Sequence, residues 1–334
     1  MNDTRILLAH GNGGRLMREL ITEIFARHLG NPLLNTNADA VMLPALDGDL
    51  MVTTDAFTVQ PLEFPGGNLG SLAIHGVIND LAVAGADPRY ITLAALIEEG
   101  LEIALLDRLI ASCAEAARQN GVVVVAGDTK VVRRGEGGGL YLSVTGIGVR
   151  RTRDELTLRN IMPGNVVLVS GSVGDHGIAV MLAREPFGLS SDLRSDSASV
   201  LRLAQSVRNI AGLRFMRDPT RGGLTTVAHE IMQGCGHSVI LNQSAIPLRA
   251  EVVSVCEMLG YDPYFLACEG RIVAVATASA AEEILTCWRS LPEGAESHVI
   301  GRIEAGGARV ILETSLGGQR ILDELEDDPL PRIC

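Results

Sequence analysis

The sequence predicts an α/β protein with mixed sheets, built as two domains. Three observations predict it. At 334 residues the chain exceeds what one hydrophobic core usually organises. Stretches of helical periodicity alternate with short β-branched runs, and several of those runs end in glycine-rich polar turns, where open α/β sheets commonly bind ligands. An apolar fraction of 47% with only 3% aromatics and 37 glycines means cores of Val, Leu, Ile and Ala with many permissive backbone points.

Residues 1–38 form a Gly-rich N-terminal segment, and 39–155 the first domain. Ile74, Val77, Ile78 and Leu81 repeat at i, i+3, i+4, i+7, so a helix is expected there, stopped by Gly85 and Pro88. A second helix runs from about Leu101 to Asn120, with Gly121 as its left-handed cap. Val122 to Val125 reads as a buried strand that stops at Gly127-Asp128-Thr129-Lys130, and Tyr141 to Val149 as another strand. The polar Arg150–Asp154 run marks the boundary. The second domain, 156–314, opens with a strand at Val166 to Ser170 that feeds Gly171–Gly177 and a helix. Ser190 to Ser199 is Ser/Asp-rich and reads as an exposed connection. Asp218 to Leu224 is a glycine turn before a helix carrying Val227 and Ile231, and strands near Ile272–Ala276 and Val310–Leu312 close the domain. The last stretch, 315–334, reads as a flexible acidic tail ending Pro331-Arg332-Ile333-Cys334.

A net charge of −12 argues against a nucleic-acid partner, since phosphate backbones need a basic face. The N-terminus lacks the basic region and apolar run of a signal peptide, and the longest apolar stretch, Leu69 to Ala86, is interrupted by His75, Asn79 and Asp80. A cytoplasmic protein without a membrane span is expected. The six cysteines show no CxxC spacing, which favours reduced thiols.

Candidate chemistry lies in the turns. His10-Gly11-Asn12-Gly13-Gly14 lets the main chain approach a phosphate closely, although no Gly-Lys-Ser/Thr follows and an ordinary loop is the simpler reading. Asp55, after Thr53-Thr54, Asp80, after Asn79, and Asp128, before Thr129, are carboxylates suited to Mg²⁺ or, singly, to capping and turns. Asp218-Pro219-Thr220-Arg221-Gly222-Gly223 places a guanidinium among glycines, where Arg221 serves phosphate or pairs with Asp218. Glu269 is a surface carboxylate or a buried base. Of 28 basic residues only Lys130 is lysine, and a buried ammonium, unlike guanidinium, can give up its proton near neutrality. Cys334 has the weakest structural reading, because a thiol on a mobile tail adds nothing to a core. The 20 residues from Ser315 span roughly 65 Å extended or roughly 25 Å as a coil.

In this order, His10–Gly14, Thr53-Thr54-Asp55, Asn79-Asp80, Gly127–Val131, Gly174-Asp175-His176-Gly177, Asp218–Gly223 and the Pro-Arg-Ile-Cys ending resemble the HypE family of hydrogenase maturation proteins, within the AIR synthase (PurM)-like superfamily. The resemblance covers nearly the whole chain. Cys268 departs from it, standing where Asn is expected before Glu269-Gly270.

The resemblance implies a homodimer through the N-terminal sheets, ATP as substrate with Mg²⁺, a HypF-type carbamoyltransferase that loads Cys334, and a HypC–HypD complex that accepts cyanide for the iron of a nickel–iron hydrogenase. It implies ATP-driven dehydration of an S-carbamoyl group on Cys334 to a thiocyanate. In that scheme Asp55, Asp80 and Asp128 hold the metal, while His10, Gly11, Gly13, Gly14, Thr54, Asn79, Thr129, Asp218, Arg221, Gly222 and Gly223 bind the nucleotide. Lys130 and Glu269 are the candidate bases. The competing expectations are a small-molecule ATP-dependent phosphotransferase on the same fold, and a metal-delivery protein, which the unpaired histidine spacing disfavours.

Overall fold

The computed structural model describes residues 3–151, 156–185 and 191–325, which fall into two compact units. Residues 3–81 and 86–151 make the first, and 82–85 with 156–325 the second.

The first unit starts with a 3-10 turn, Leu8–Gly11, and the helices α1 (Arg15–Leu20) and α2 (Arg27–Leu29), joined by a π-helical run, Ile21–Ala26. Then come β1 (Asp49–Phe57), a small hairpin of β2 (Glu63–Phe64) and β3 (Gly67–Asn68), and α3 (Leu69–Val83). They are followed by β4 (Asp87–Glu98), α4 (Ile103–Gln119), β5 (Val123–Val132) and β6 (Leu140–Arg150). The sheet order is β1-β6-β4-β5, with only β4 and β5 parallel. The periodic residues Ile74, Val77, Ile78 and Leu81 are all buried. A Cβ at Gly146 of β6 would lie 3.2 Å from Val77 and 3.0 Å from Leu81, so α3 packs on that face of the sheet. α4 buries Leu106, Leu109, Ile110 and Cys113, and Gly121 beyond its end takes φ +67° as its cap position requires.

Pairing fixes which residues share a face. Asp55, Val144, Leu93 and Gly127 form one row on the covered face, while Ala56, Ser143, Ala94 and Asp128 form the next row on the other. That second face is open. It exposes Leu50, Val52, Leu96 and Tyr141.

The second unit contains β7 (Asn165–Val169), α5 (Asp175–Arg184), α6 (Leu201–Val207), β8 (Leu213–Arg217), α7 (Gly223–Cys235) and β9 (Ser238–Asn242). It continues with α8 (Ala250–Leu259), β10 (Val273–Thr277), α9 (Ala281–Arg289), β11 (His298–Glu304), β12 (Val310–Glu313) and β13 (Gln319–Ile321). Its seven-stranded sheet runs β13-β12-β9-β11-β7-β10-β8, antiparallel except for β12 beside β9. Leu224, Val227 and Ile231 of α7 pack into one core with Val167, Val239, Leu241 and Val275, and α5 and α8 pack together in another.

Three expectations need correction. β5 does not stop at Gly127: its parallel pairing with β4 continues to Val132, so Gly127–Lys130 is strand. Gly127 is there because a Cβ would lie 2.4 Å from the Leu93 carbonyl oxygen. The connection expected to be exposed at Ser190–Ser199 is packed in its described part, with Leu193 and the Asp196 side chain buried. The stretch 315–334 is not wholly a tail, because Gly317 (φ +83°) turns the chain so that Gln319–Ile321 pairs with β12, and Leu322 is buried. Cys334 lies outside the described residues, as does the rest of the chain after Leu325.

Candidate functional site

In the first unit the N-terminal loop sits on β5. Gly11 is required by proximity, since a Cβ there would lie 2.8 Å from the Val131 side chain. His10 is fully buried; its Nδ1 accepts from the Leu7 N–H at 3.0 Å, and its Nε2 faces Asp3 Oδ2 at 3.7 Å. Gly14 N–H donates to Asn12 Oδ1 at 3.0 Å, and Gly13 takes φ +79° beside open space. Thr129, which shares the covered face of β5 with Val131, has a buried hydroxyl with no hydrogen-bond partner among the described residues.

Thr53 Oγ1 donates to Asp80 Oδ2 at 2.6 Å, which ties α3 to β1 two positions from Asp55 on the same face. Asn79 is buried, and Thr54, on the open face, meets Thr145 at 2.9 Å between hydroxyls. Asp128 and Lys130 also lie on the open face, at the far edge of the sheet from β1. Three inter-strand gaps, about 14 Å, separate β1 from β5. The three candidate aspartates therefore do not converge within one chain, and among the described residues no group of three or more His, Cys, Asp or Glu is placed to hold a metal.

In the second unit the predicted residues meet around Cys268. Gly222 (φ +74°) and Gly223 (φ +61°) launch α7, and a Cβ on Gly223 would lie 2.5 Å from the Leu266 carbonyl oxygen. Cys268 N–H donates to the Pro219 carbonyl at 3.0 Å, which joins the Asp218–Gly223 turn to the Cys268-Glu269 segment. Cys268 Sγ accepts from Gly174 N–H at 3.2 Å, and burial holds its thiol well above the usual range. The thiol is thus a satisfied part of the packing. Asp218 and Glu269 are buried, and Arg221 is exposed.

Next to Glu269 lies an ionic group that the sequence reading missed. Glu269 N–H donates to Asp196 Oδ1 at 3.1 Å, and Arg271 Nε lies 3.4 Å from Asp196 Oδ2. Arg271 also donates to the Ser172 carbonyl at 2.9 Å, and Asp175 accepts from Ser172 Oγ at 2.5 Å and Arg249 Nε at 2.9 Å. Burial raises both carboxyls, with the guanidiniums opposing it. His176 Nδ1 lies 2.8 Å from Ser195 Oγ, and burial pulls its imidazole down to about 4. Asp175 stood inside the Gly174–Gly177 motif, and Arg271 directly follows Glu269-Gly270. Asp196 carried no sequence signal, being one Asp of a Ser-rich run.

Residues 37–150 match the AIR synthase related protein, N-terminal domain, and residues 162–313 match its C-terminal domain. The carbamoyl dehydratase HypE of Rhodobacter capsulatus is 43% identical over 100% of this chain and 99% of its own. That of Escherichia coli (strain K12) is 41% identical over 98% and 99%. The chain belongs to the HypE carbamoyl dehydratase family. A crystal structure of HypE in complex with ATP superposes with a TM-score of 0.93 at 40% identity, covering 98% of this chain and 99% of that one. HypE from a HypE–HypF complex superposes at 0.81 and 37% identity, over 93% and 100%. A thiamine monophosphate kinase from Aquifex aeolicus, at 0.61 and 19% identity over 80% and 89%, shares the fold alone. Among the described residues, no helix is long and apolar enough to cross a membrane.

Proposed function

We propose that this chain is the ATP-dependent carbamoyl dehydratase that converts an S-carbamoyl group on its own Cys334 to a thiocyanate, the cyanide source for nickel–iron hydrogenase. The observation that carries it is identity above 40% with proteins named carbamoyl dehydratase HypE along almost the entire chain. The phosphotransferase alternative has no such support, since its relative shares only the fold.

An amide oxygen is a poor leaving group. Transfer of the ATP γ-phosphoryl to the carbamoyl oxygen, with loss of one N–H proton, gives an imidate phosphate and ADP. Expulsion of phosphate with the second N–H proton leaves S–C≡N, so one water has been removed at the expense of one ATP. Catalysis of this kind rests on alignment and electrostatics, plus an acceptor for each proton. We assign proton transfer to Glu269 and Lys130, and nucleotide binding to the His10–Gly14 loop, Thr54, Asn79, Thr129 and the Asp218–Gly223 turn. Mg²⁺ supplies charge neutralisation when bound with the phosphates. Asp80, which accepts from Thr53, and Asp55, two positions along β1 on the same face, fit an ion held by one or two carboxylates plus substrate oxygens. Asp128 does not fit the same ion within one chain.

The open sheet face supports a homodimer. Leu50, Val52, Leu96 and Tyr141 expose apolar surface on the same face as Asp128 and Lys130, and a second copy covering this face would bury them together. A HypF-type carbamoyltransferase is the partner that loads Cys334, consistent with the HypE–HypF complex, and a HypC–HypD complex is the acceptor, all in the cytoplasm.

The test is mass spectrometry of the C-terminal peptide after carbamoylation and addition of ATP. The adduct on Cys334 should become lighter by one water, and Cys334→Ala should carry no adduct at all. Carbamoyl-Cys334 that persists while ATP is consumed sinks the reading.

A further inference from the structure

The polypeptide leading to Cys334 does not leave the second unit at Ser315, where the sequence suggests it does. After β13, the Leu322 N–H donates to the Val310 carbonyl at 3.0 Å, and the Leu322 side chain is buried. From there the chain packs across one face of α7. His229 Nε2 is 2.8 Å from the Leu322 carbonyl oxygen, and Gln233 Nε2 is 3.3 Å from Glu324 Oε2. Leu325 Cδ1 is 3.5 Å from the point where a Cβ on Gly222 would stand. Gly222, Thr226, His229 and Gln233 are spaced by four, three and four residues, which is a single helical face. His229 is itself buried, and with Nε2–H given to Leu322, its Nδ1 is the ring acceptor and has no partner among the described residues. It is committed to one donor contact.

We propose that His229 is a positioning residue: with that face of α7 it clamps the root of the reactive tail, so that Cys334 is tethered from Leu325 and not from Ser315. The inference rests on the reading that Cys334 carries the reacting group. Its consequence is one of length. Nine residues follow Leu325, against nineteen after Ser315, so the tether is ten residues shorter than the sequence suggests. Gly222, against which Leu325 rests, belongs to the turn whose Pro219 carbonyl accepts from Cys268 N–H at 3.0 Å. The root is therefore joined to the Cys268-Glu269 segment through one turn and one hydrogen bond. Among tethers long enough to span a gap, the shorter gives the higher effective concentration. Release of the clamp back to Ile321 leaves thirteen residues and lowers that concentration roughly twofold by length alone, with a further loss because the tail no longer starts in a fixed direction.

The experiment compares His229→Leu, which keeps apolar volume and removes the donor, with His229→Gln, whose amide nitrogen reaches a similar point. Hydrogen exchange over residues 319–325 reads the clamp independently of chemistry. Protection should fall in His229→Leu and return in His229→Gln, and unchanged protection in His229→Leu overturns the proposal. Single-turnover conversion of carbamoylated Cys334 should fall about two- to fivefold in His229→Leu. Conversion of an added S-carbamoyl peptide of the last nine residues, by chains also carrying Cys334→Ala, should be unaffected because no root is involved. Equal losses in both reactions mean damage to the site and overturn the positioning role. Failure of the wild-type chain to convert its own carbamoyl group counts against the dehydratase reading, while the exchange result still decides the clamp.

Discussion

Lys130 is the one lysine among 28 basic residues, and the structure puts it on an exposed sheet face beside Leu96 and Tyr141, not in a closed cleft. If it exchanges a proton during dehydration, Lys130→Arg should bind ATP normally yet lose most single-turnover conversion, because guanidinium stays protonated. Glu269→Gln should show the same pattern. Near wild-type conversion by Lys130→Arg would reduce the lysine to a phosphate-binding charge and leave Glu269 as the proposed base. His176 supports a different prediction. Burial lowers its imidazole from 6.5 to about 4, so the unfolded chain takes up the proton first as pH falls. The stability it contributes is complete above pH 6.5 and is lost progressively down to about pH 4, with about 2 kcal/mol gone by pH 5. Urea unfolding at pH 7 and pH 5 should show that loss, and His176→Asn should show a pH difference smaller by about the same amount. An unchanged pH difference in His176→Asn would mean that other groups carry it.

At the scale of elements, periodicity made α3 and α4 legible, because Ile74, Val77, Ile78 and Leu81 are buried for the reason they recur. Gly121 likewise ended α4 as its position suggested. What the sequence hid was pairing. Nothing local says that Gly127–Lys130 continues a strand, since that depends on β4 lying alongside, and nothing in Ser190–Ser199 announces that Asp196 is held by Arg271 and Glu269, far away in sequence. β13 was hidden in the same way, its turn read as the start of a tail. The α7 entry shows the distinction in energetic form. Gly223, the first residue of the helix, and Gly236, just beyond it, both have positive φ, but only at Gly223 would a Cβ also meet carbonyl oxygens, at 2.5 and 2.7 Å. Gly236→Ala should cost about 1 kcal/mol from backbone conformation alone. Gly223→Ala should cost roughly 1–3 kcal/mol more, because Leu266 and Tyr264 must also shift. Unfolding midpoints of the two variants measure the difference, and equal midpoints would mean the close approach relaxes without penalty.

For the whole molecule, the question is what covers the open face of the first sheet. A largely antiparallel sheet can leave one face to water when that face is polar, but here α3 covers one face while Leu50, Val52, Leu96 and Tyr141 leave apolar surface on the other. The same face carries the candidate groups Asp128 and Lys130, whereas Asp55 and Asp80 belong to the covered side. A lone chain thus divides its candidate groups between two faces of one sheet. A homodimer joined face to face would desolvate Asp128 and Lys130 and give them a partner's surface to act on; a stable interface of this kind buries about 800 Å² per copy. Leu50→Asp combined with Val52→Asp should place two like charges on each contributing strand, turning an apolar contact into repulsion, while leaving the α3-packed core untouched. The wild-type chain should then sediment as a dimer and the double variant as a monomer. The monomer should still accept a carbamoyl group on Cys334, which needs only the tail and the loading partner, but should fail to dehydrate it with ATP. A monomeric wild type, or a monomeric variant that dehydrates at the wild-type rate, would refute the shared site and return Asp128 and Lys130 to the surface of a self-sufficient chain.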